Sequence, residues 1–143
     1  MSLRPLSTLE VVQLLLGRFG ARDAAGLAQL FAARVRWRVT SLPADPPAGA
    51  GRTRREVESF FLSFFGALAP EALAVRRLVV DGDDAVVLGR ARCRVGTSPE
   101  VVSLDFVISV EVRDGLVREC WLMSDTLTAA IALGRARLVR PMA

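Results

Sequence analysis

The 143 residues suit one domain with a buried core, and their composition argues against several classes of function. Hydrophobic residues make up 52%, yet no apolar run approaches the roughly 18–20 residues of a membrane span. All 19 basic residues are arginine and they are dispersed along the chain, which favours a solvated surface over a nucleic-acid partner. The chain has no tyrosine. It also has no histidine, which is the commonest metal ligand and the commonest general base in proteins. We therefore expect no metal site, no cofactor and no membrane.

The N-terminus and the two cysteines indicate where the protein resides and whether it contains disulfides. The first residues lack a charged segment that leads into an apolar stretch with a cleavage site, so we expect a cytoplasmic protein. Cys93 and Cys120 lie in apolar, strand-like segments, so we expect two small buried side chains and not a disulfide framework.

Two helices and a strand are predicted in the first third of the chain. Residues 7–10 form a capping box that begins a helix, and Asp23 can cap a shorter helix that ends at Phe31. The alternating segment Val35–Leu42 predicts a strand, and the Pro- and Gly-rich residues 43–51 predict a loop. At helical spacing the residues expected to be buried are Leu9, Val12, Leu16, Phe19, Leu27, Leu30 and Phe31.

The remainder predicts one aromatic helix and a meander of strands. Residues 53–56 form a second capping box, which begins a helix with four phenylalanines within six residues. Strands are predicted at residues 73–80, 85–95, 101–113 and 116–125, and a short helix after Asp125 precedes a basic tail at 134–143. Short links between these strands require antiparallel neighbours. The predicted fold class is α+β: a curved antiparallel sheet that forms a cone-shaped cavity, covered by three helices from the N-terminal half.

Several segments resemble a known superfamily in their order and spacing. Residues 30–39 resemble its entry to the first strand, Gly51-Arg52 its step into the next helix, and residues 114–121 its last strand, which Asp125 closes. The chain thus resembles the nuclear transport factor 2-like superfamily, in particular its SnoaL-like, limonene epoxide hydrolase and ketosteroid isomerase branches. The resemblance covers about residues 9–133, and it implies a ligand pocket and a homodimer packed through the outer side of the sheet.

The catalytic residues that the resemblance implies are mostly absent. Limonene epoxide hydrolases use an Asp–Arg–Asp set with a tyrosine and an asparagine. The tyrosine and asparagine positions hold Trp37 and Val39, the arginine position holds Arg90, and the two aspartate positions hold Arg92 and Leu122.

The acid and base groups of the other two branches are absent from this chain as well. The base and the aspartate of ketosteroid isomerases fall on Val39 and about Ile108. The histidine and aspartate of SnoaL-type cyclases fall on Cys120 and Leu122, where Cys120 should be an inert thiol because no histidine or lysine can lower its pKa. Whether the protein is an enzyme stays open at this point.

Two polar features leave alternatives open. Strand alternation directs Arg90 and Arg92 towards solvent, whereas the resemblance directs them into the cavity, where they would require an anionic partner. Asp105 alternates with apolar residues and should face outward, which makes it, like Arg90, only a weak catalytic candidate. A stripe of arginines beside Trp37 could also stack on nucleic acid.

The sequence therefore predicts a pocket for a small apolar or partly anionic molecule. Its function would be that of a SnoaL-like isomerase, cyclase or epoxide-opening enzyme, or else that of a non-catalytic binding or assembly domain. The predicted pocket residues are Trp37, Val39, Phe61, Phe64, Arg90, Arg92, Phe106, Ile108, Cys120 and Leu122.

Overall fold

The computed structural model describes residues 4–40 and 51–141. Its elements in chain order are α1 (Thr8–Gly20), α2 (Ala24–Ala28), β1 (Phe31–Thr40), β2 (Gly51–Thr53), α3 (Arg54–Ala67), β3 (Leu68–Asp81), β4 (Asp84–Val95), β5 (Val101–Arg113), β6 (Leu116–Ser124) and α4 (Thr126–Ala132). None of the helices in these ranges combines the length and the apolarity needed to cross a membrane.

Both predicted capping boxes are confirmed. Ser7 accepts a hydrogen bond from the backbone N–H of Glu10, whose side chain accepts one from the Ser7 backbone N–H. Thr53 and Glu56 repeat the arrangement at the start of α3. Each pair satisfies two N–H groups that a helix start otherwise leaves without partners.

One curved, unclosed sheet carries six strands in the order β2-β1-β6-β5-β4-β3. Strands β3 to β6 pair antiparallel with their neighbours in sequence, as predicted, whereas β1 pairs parallel with β6. The α+β class with a curved, mostly antiparallel sheet is therefore confirmed. Because β1 inserts beside β6, the first and last strands lie next to each other.

The sheet has two faces of opposite character. The inner face packs against α1 and α3 and is defined by the buried residues of β1, β4, β5 and β6. The outer face carries the alternate residues, which are partly or fully exposed. In β4 the alternation is regular from Ala85 to Val95, so each face is one continuous set of side chains.

Several predicted boundaries are wrong. The second helix ends at Ala28 and β1 begins at Phe31, because Leu30 donates its N–H to Leu27 in a tight turn. Leu9 is 42% exposed, since α1 buries the stripe of Val11, Val12, Leu15 and Phe19.

Two further boundaries concern the strands. The predicted strand at 73–80 begins earlier, at Leu68, directly after α3. The predicted loop at 43–51 and the end of the first strand fall largely outside the described residues, and Gly51 begins a short strand instead.

Candidate functional site

An aromatic cluster lies between the inner face and the helices. All seven phenylalanines of the chain and Trp37 form one connected set of ring contacts. The shortest joins Trp37 to Phe60, with ring centroids 5.1 Å apart and planes at 73°. Phe19 of α1 reaches Phe106 of β5 at 6.5 Å, which links the helix layer to the middle of the sheet. Edge-on contacts of this kind add to the stabilisation that burial alone gives.

Most of the predicted pocket residues face this interior. Seven of them are buried: Trp37, Phe61, Phe64, Phe106, Ile108, Cys120 and Leu122. Val39 is partly buried and lies opposite Leu122 in the β1–β6 register, two residues beyond Trp37 on the same face. The inner face thus changes from fully buried to partly exposed at the Val39 end of β1.

The two predicted arginine anchors do not lie in this interior. Arg90 and Arg92 are exposed on the outer face, and the inward positions of β4 are Gly89, Ala91 and Cys93. Strand alternation therefore gives the orientation, and the assignment of these arginines to the pocket is wrong. The close packing of β4 against Phe106 explains the glycine at position 89, because a Cβ there would lie 2.7 Å from the Phe106 ring.

Asp105 is on the outer face as well, with 68% of its side chain exposed. Its carboxylate accepts a hydrogen bond from Arg90 Nε at 3.0 Å. It borders a cleft of about 390 Å³ that also includes Phe106, Arg76 and Asp125. Asp125 is committed to capping α4, and the hydrogen bonds from Thr128 lower the pKa of its carboxyl group. Side-chain hydrogen bonds thus hold both carboxylates of the cleft, so these two groups suit a structural role better than proton transfer.

The interior offers no ordinary acid or base. Every buried position in residues 4–40 and 51–141 is apolar, glycine, proline or cysteine. Burial raises the pKa of the Cys93 thiol to about 11 and that of Cys120 to about 12, with smaller contributions from Glu71 and Glu119. The thiolate is the nucleophilic form, so both groups stay protonated and unreactive at neutral pH.

Arg52 is a largely buried arginine whose inward position was not predicted from the sequence. It pairs in register with the buried Val35, so it belongs to the inner side of the sheet. Its side chain is 11% exposed, and Nη1 lies 3.6 Å from Glu56 Oε2. Only the register of a three-residue strand directs this arginine inward, and so short a strand has no periodicity to read. The Gly51-Arg52 step of the family resemblance was the available signal.

The outer face does not form the nucleic-acid platform considered from the sequence. Trp37 is 4% exposed and points away from the arginines of β1, so it cannot stack on a base. Arg38 stacks instead on Trp121, with the guanidinium carbon 4.2 Å from the ring centroid. The Trp121 Nε1–H is buried and has no hydrogen-bond partner among the described residues. Within these ranges no three Cys, Asp or Glu side chains gather closely enough to hold a metal ion.

The family model for the SnoaL-like domain matches residues 12–120. The chain therefore belongs to the SnoaL-like family, within the nuclear transport factor 2-like superfamily. The match spans most of α1, all of α2 and α3, the aromatic cluster and the strands β1 to β5, and it ends at Cys120 in β6. Comparison with curated protein sequences gives no match.

Solved structures agree on the fold. IdmH, a proposed polyketide cyclase from Streptomyces antibioticus, is 21% identical with a TM-score of 0.72, covering 89% of this chain and 98% of its own. An epoxide hydrolase from M. tuberculosis, of the limonene epoxide hydrolase type, is 15% identical with a TM-score of 0.66, covering 90% of each chain. An NTF2-like protein from Burkholderia xenovorans is 21% identical with a TM-score of 0.66, covering 88% and 95%. At these identities the similarity extends to the fold alone.

Proposed function

We propose that this protein binds a small, mostly apolar molecule between β1 and α3, without acid–base catalysis. The observation that carries the proposal is the chemistry of the inner face. Aromatic and aliphatic side chains line it, and its two thiols are held protonated by burial. The binding end is the region of Trp37 and Val39, where the apolar inner face reaches partial exposure. Apolar walls with few polar groups are typical of small-molecule sites.

Catalysis is the weaker candidate, because the described chain brings no carboxylate to this interior. Two neighbours, the proposed polyketide cyclase and the epoxide hydrolase, support such reactions for this fold, but function depends on side chains and not on the fold. An isomerase or epoxide-opening activity would need a group that orients water or abstracts a proton, and the buried thiols are poor bases.

The test uses a neutral apolar fluorophore, N-phenyl-1-naphthylamine, titrated into the purified protein. We expect saturable binding at one site per chain. Val39→Trp fills the partly exposed end of the inner face and should abolish the fluorescence increase. The matched control is Leu62→Trp, on the exposed side of α3, which should leave it unchanged. No saturable binding, or equal loss in both variants, would contradict the proposal.

A second copy of this chain is the partner that the outer face fits. Leu88 and Val79 of the outer face are 39% and 57% exposed, and Trp121 holds a buried indole N–H without an acceptor among the described residues. The same face carries charges of both signs, in pairs such as Arg90 with Asp105 and Arg36 with Glu119. A two-fold related copy can therefore match apolar with apolar surface and cation with anion.

A further inference from the structure

We propose that two copies of this chain pack outer face to outer face with their strands antiparallel, and that Asp84 of each copy pairs with Arg92 of the partner subunit. The inference rests on the proposed self-association of the outer face. It adds the relative orientation of the two copies and the two residues that determine it. The outer face supports this arrangement because it has an apolar middle, an acidic end and a basic end.

The middle of the outer face is apolar across three neighbouring strands. Leu88 of β4, Val107 of β5 and Met123 of β6 are in register with one another. Leu88 is 39% exposed, and the other two are partly exposed. All three border the cleft of about 390 Å³ that also includes Asp105. A contiguous apolar surface of this kind is stabilised when a second apolar surface covers it.

The outer face is acidic on the side of this apolar middle where β4 begins. One row of directly opposed residues crosses four strands and consists of carboxylates alone: Asp81, Asp84, Glu111 and Glu119. Like charges that lie directly opposite one another destabilise a sheet. The last two of the row form ion pairs with neighbouring arginines, at 3.3 and 3.4 Å, whereas Asp84 forms none with any residue that the structure describes.

The outer face is basic on the other side of the apolar middle. The outward residues of β4 there are Arg90, Arg92 and Arg94. The first and the last form ion pairs with carboxylates of neighbouring strands, at 3.0 and 2.8 Å. Arg92 has only an alanine and a serine opposite it, at positions 72 and 103, and no ion pair is found for it in residues 4–40 and 51–141. The strand β4 thus carries one anion and one cation, Asp84 and Arg92, that no described side chain neutralises.

The spacing of these two charges fits a two-fold related pair. Asp84 and Arg92 each lie four residues from Leu88, in opposite directions and about 13 Å away along the strand. A two-fold axis that crosses the strands at Leu88 reverses the strand direction, so each anion faces the cation of the other copy. An axis parallel to the strands would bring the two acidic ends together, which like-charge repulsion disfavours. Sheets packed face to face lie about 10 Å apart, a distance that an aspartate and an arginine side chain can span together.

The experiment measures the dissociation constant of the dimer by sedimentation velocity. Asp84→Arg opposes two arginines across the contact, and Arg92→Asp opposes two aspartates. Because a two-fold dimer contains the contact twice, each variant should raise the dissociation constant about a hundredfold or more. Glu58→Arg and Arg55→Asp are the matched controls, since they make the same changes of charge on α3, on the helix side of the sheet. They should leave the dissociation constant within about twofold of the wild type.

Two restorations test the pairing itself. An equimolar mixture of the Asp84→Arg and Arg92→Asp proteins should form heterodimers, because both contacts then join opposite charges. The double variant that carries both substitutions should form homodimers for the same reason. We expect both dissociation constants within about tenfold of the wild-type value. Unchanged circular dichroism in each protein separates a lost contact from a lost fold.

The outcomes distinguish this pairing from self-association in general. If neither the mixture nor the double variant restores the dimer, or if both single variants dimerise as tightly as the wild type, the pairing of Asp84 with Arg92 is wrong while the outer face can still be the contact. A wild-type protein that is monomeric at micromolar concentration would overturn the self-association itself, and with it the orientation inferred from the charges.

Discussion

The two faces of β4 show how one strand serves two purposes. Gly89, Ala91 and Cys93 point inward and are small, which leaves room for the aromatic rings of the helices and of β5. Arg90 and Arg92, the residues between them, point outward, where Arg90 pairs with Asp105 across the strands. Nearly all stabilisation by burial thus belongs to the inner side, and nearly all charge to the outer side. Among the arginines that form ion pairs within the described residues, Arg52 is the exception, because its side chain is 11% exposed.

The largest expected effect is on the inner side. Phe61 contacts five other rings, including Trp37 at 5.9 Å, and is 3% exposed. Phe61→Ala should lower the free energy of unfolding by about 3–5 kcal/mol, because it leaves a cavity among rings that cannot close over it. Urea denaturation followed by circular dichroism measures this loss.

The control for that experiment is the next residue of the same helix. Leu62 is 60% exposed, so Leu62→Ala should change the free energy of unfolding by no more than about 0.5 kcal/mol. Comparable losses in the two variants would mean that the aromatic cluster does not bear the stability of the fold.

Much of the fold could be predicted from the sequence because its signals are local. The capping boxes at Ser7 and Thr53 depend on side chains three residues apart, and the strand alternation of β4 depends on neighbours. The start of β3 at Leu68 was missed because no loop separates it from α3, and the strand continues past Pro70, which is buried. The parallel pairing of β1 with β6 was missed because it joins distant segments.

The candidate site was harder to predict than the fold. The inward orientation of Trp37, Ile108 and Leu122 follows from alternation and is consistent with the family resemblance. The resemblance also assigned Arg90 to the pocket, whereas the alternation of β4 places this side chain on the outer face. Arg52 depends on the register of β2 with Val35, and pairing register is a property of the folded sheet.

Disrupting the outer face should change assembly and not the fold. Leu88 lies on the outer face and is 39% exposed, so Leu88→Glu would place a charge in the proposed contact between copies. We expect a wild-type dimer and a variant monomer by size-exclusion chromatography with light scattering, with unchanged circular dichroism. Leu62→Glu is the matched control, since it adds the same charge on the helix side and should remain dimeric. A monomeric wild-type protein at micromolar concentration would contradict the self-association of this face.

The smallest expected effect concerns the charges at the start of α1, remote from the inner face. The hydrogen bond from Arg4 is the main cause that lowers the pKa of Glu10 from 4.5 to about 2, with further contributions from Ser7. The Glu10 carboxyl group therefore binds its proton more weakly in the folded state than in the unfolded state. The ionised carboxylate stabilises the fold above about pH 4.5, and this contribution is lost as the pH falls towards 2.

Glu10→Gln keeps a capping side chain but removes the charge. The urea midpoint of this variant should therefore change less between pH 4.5 and about 2 than that of the wild type. Glu100→Gln is the control, because Glu100 lies in an exposed turn and no ion pair is found for it within residues 4–40 and 51–141. If the wild type and Glu10→Gln lose stability in parallel below pH 4.5, then the acid sensitivity comes from other carboxylates. The next candidates are then Asp125 and Glu56, because hydrogen bonds from Thr128 and Thr53 lower the pKa of their carboxyl groups as well.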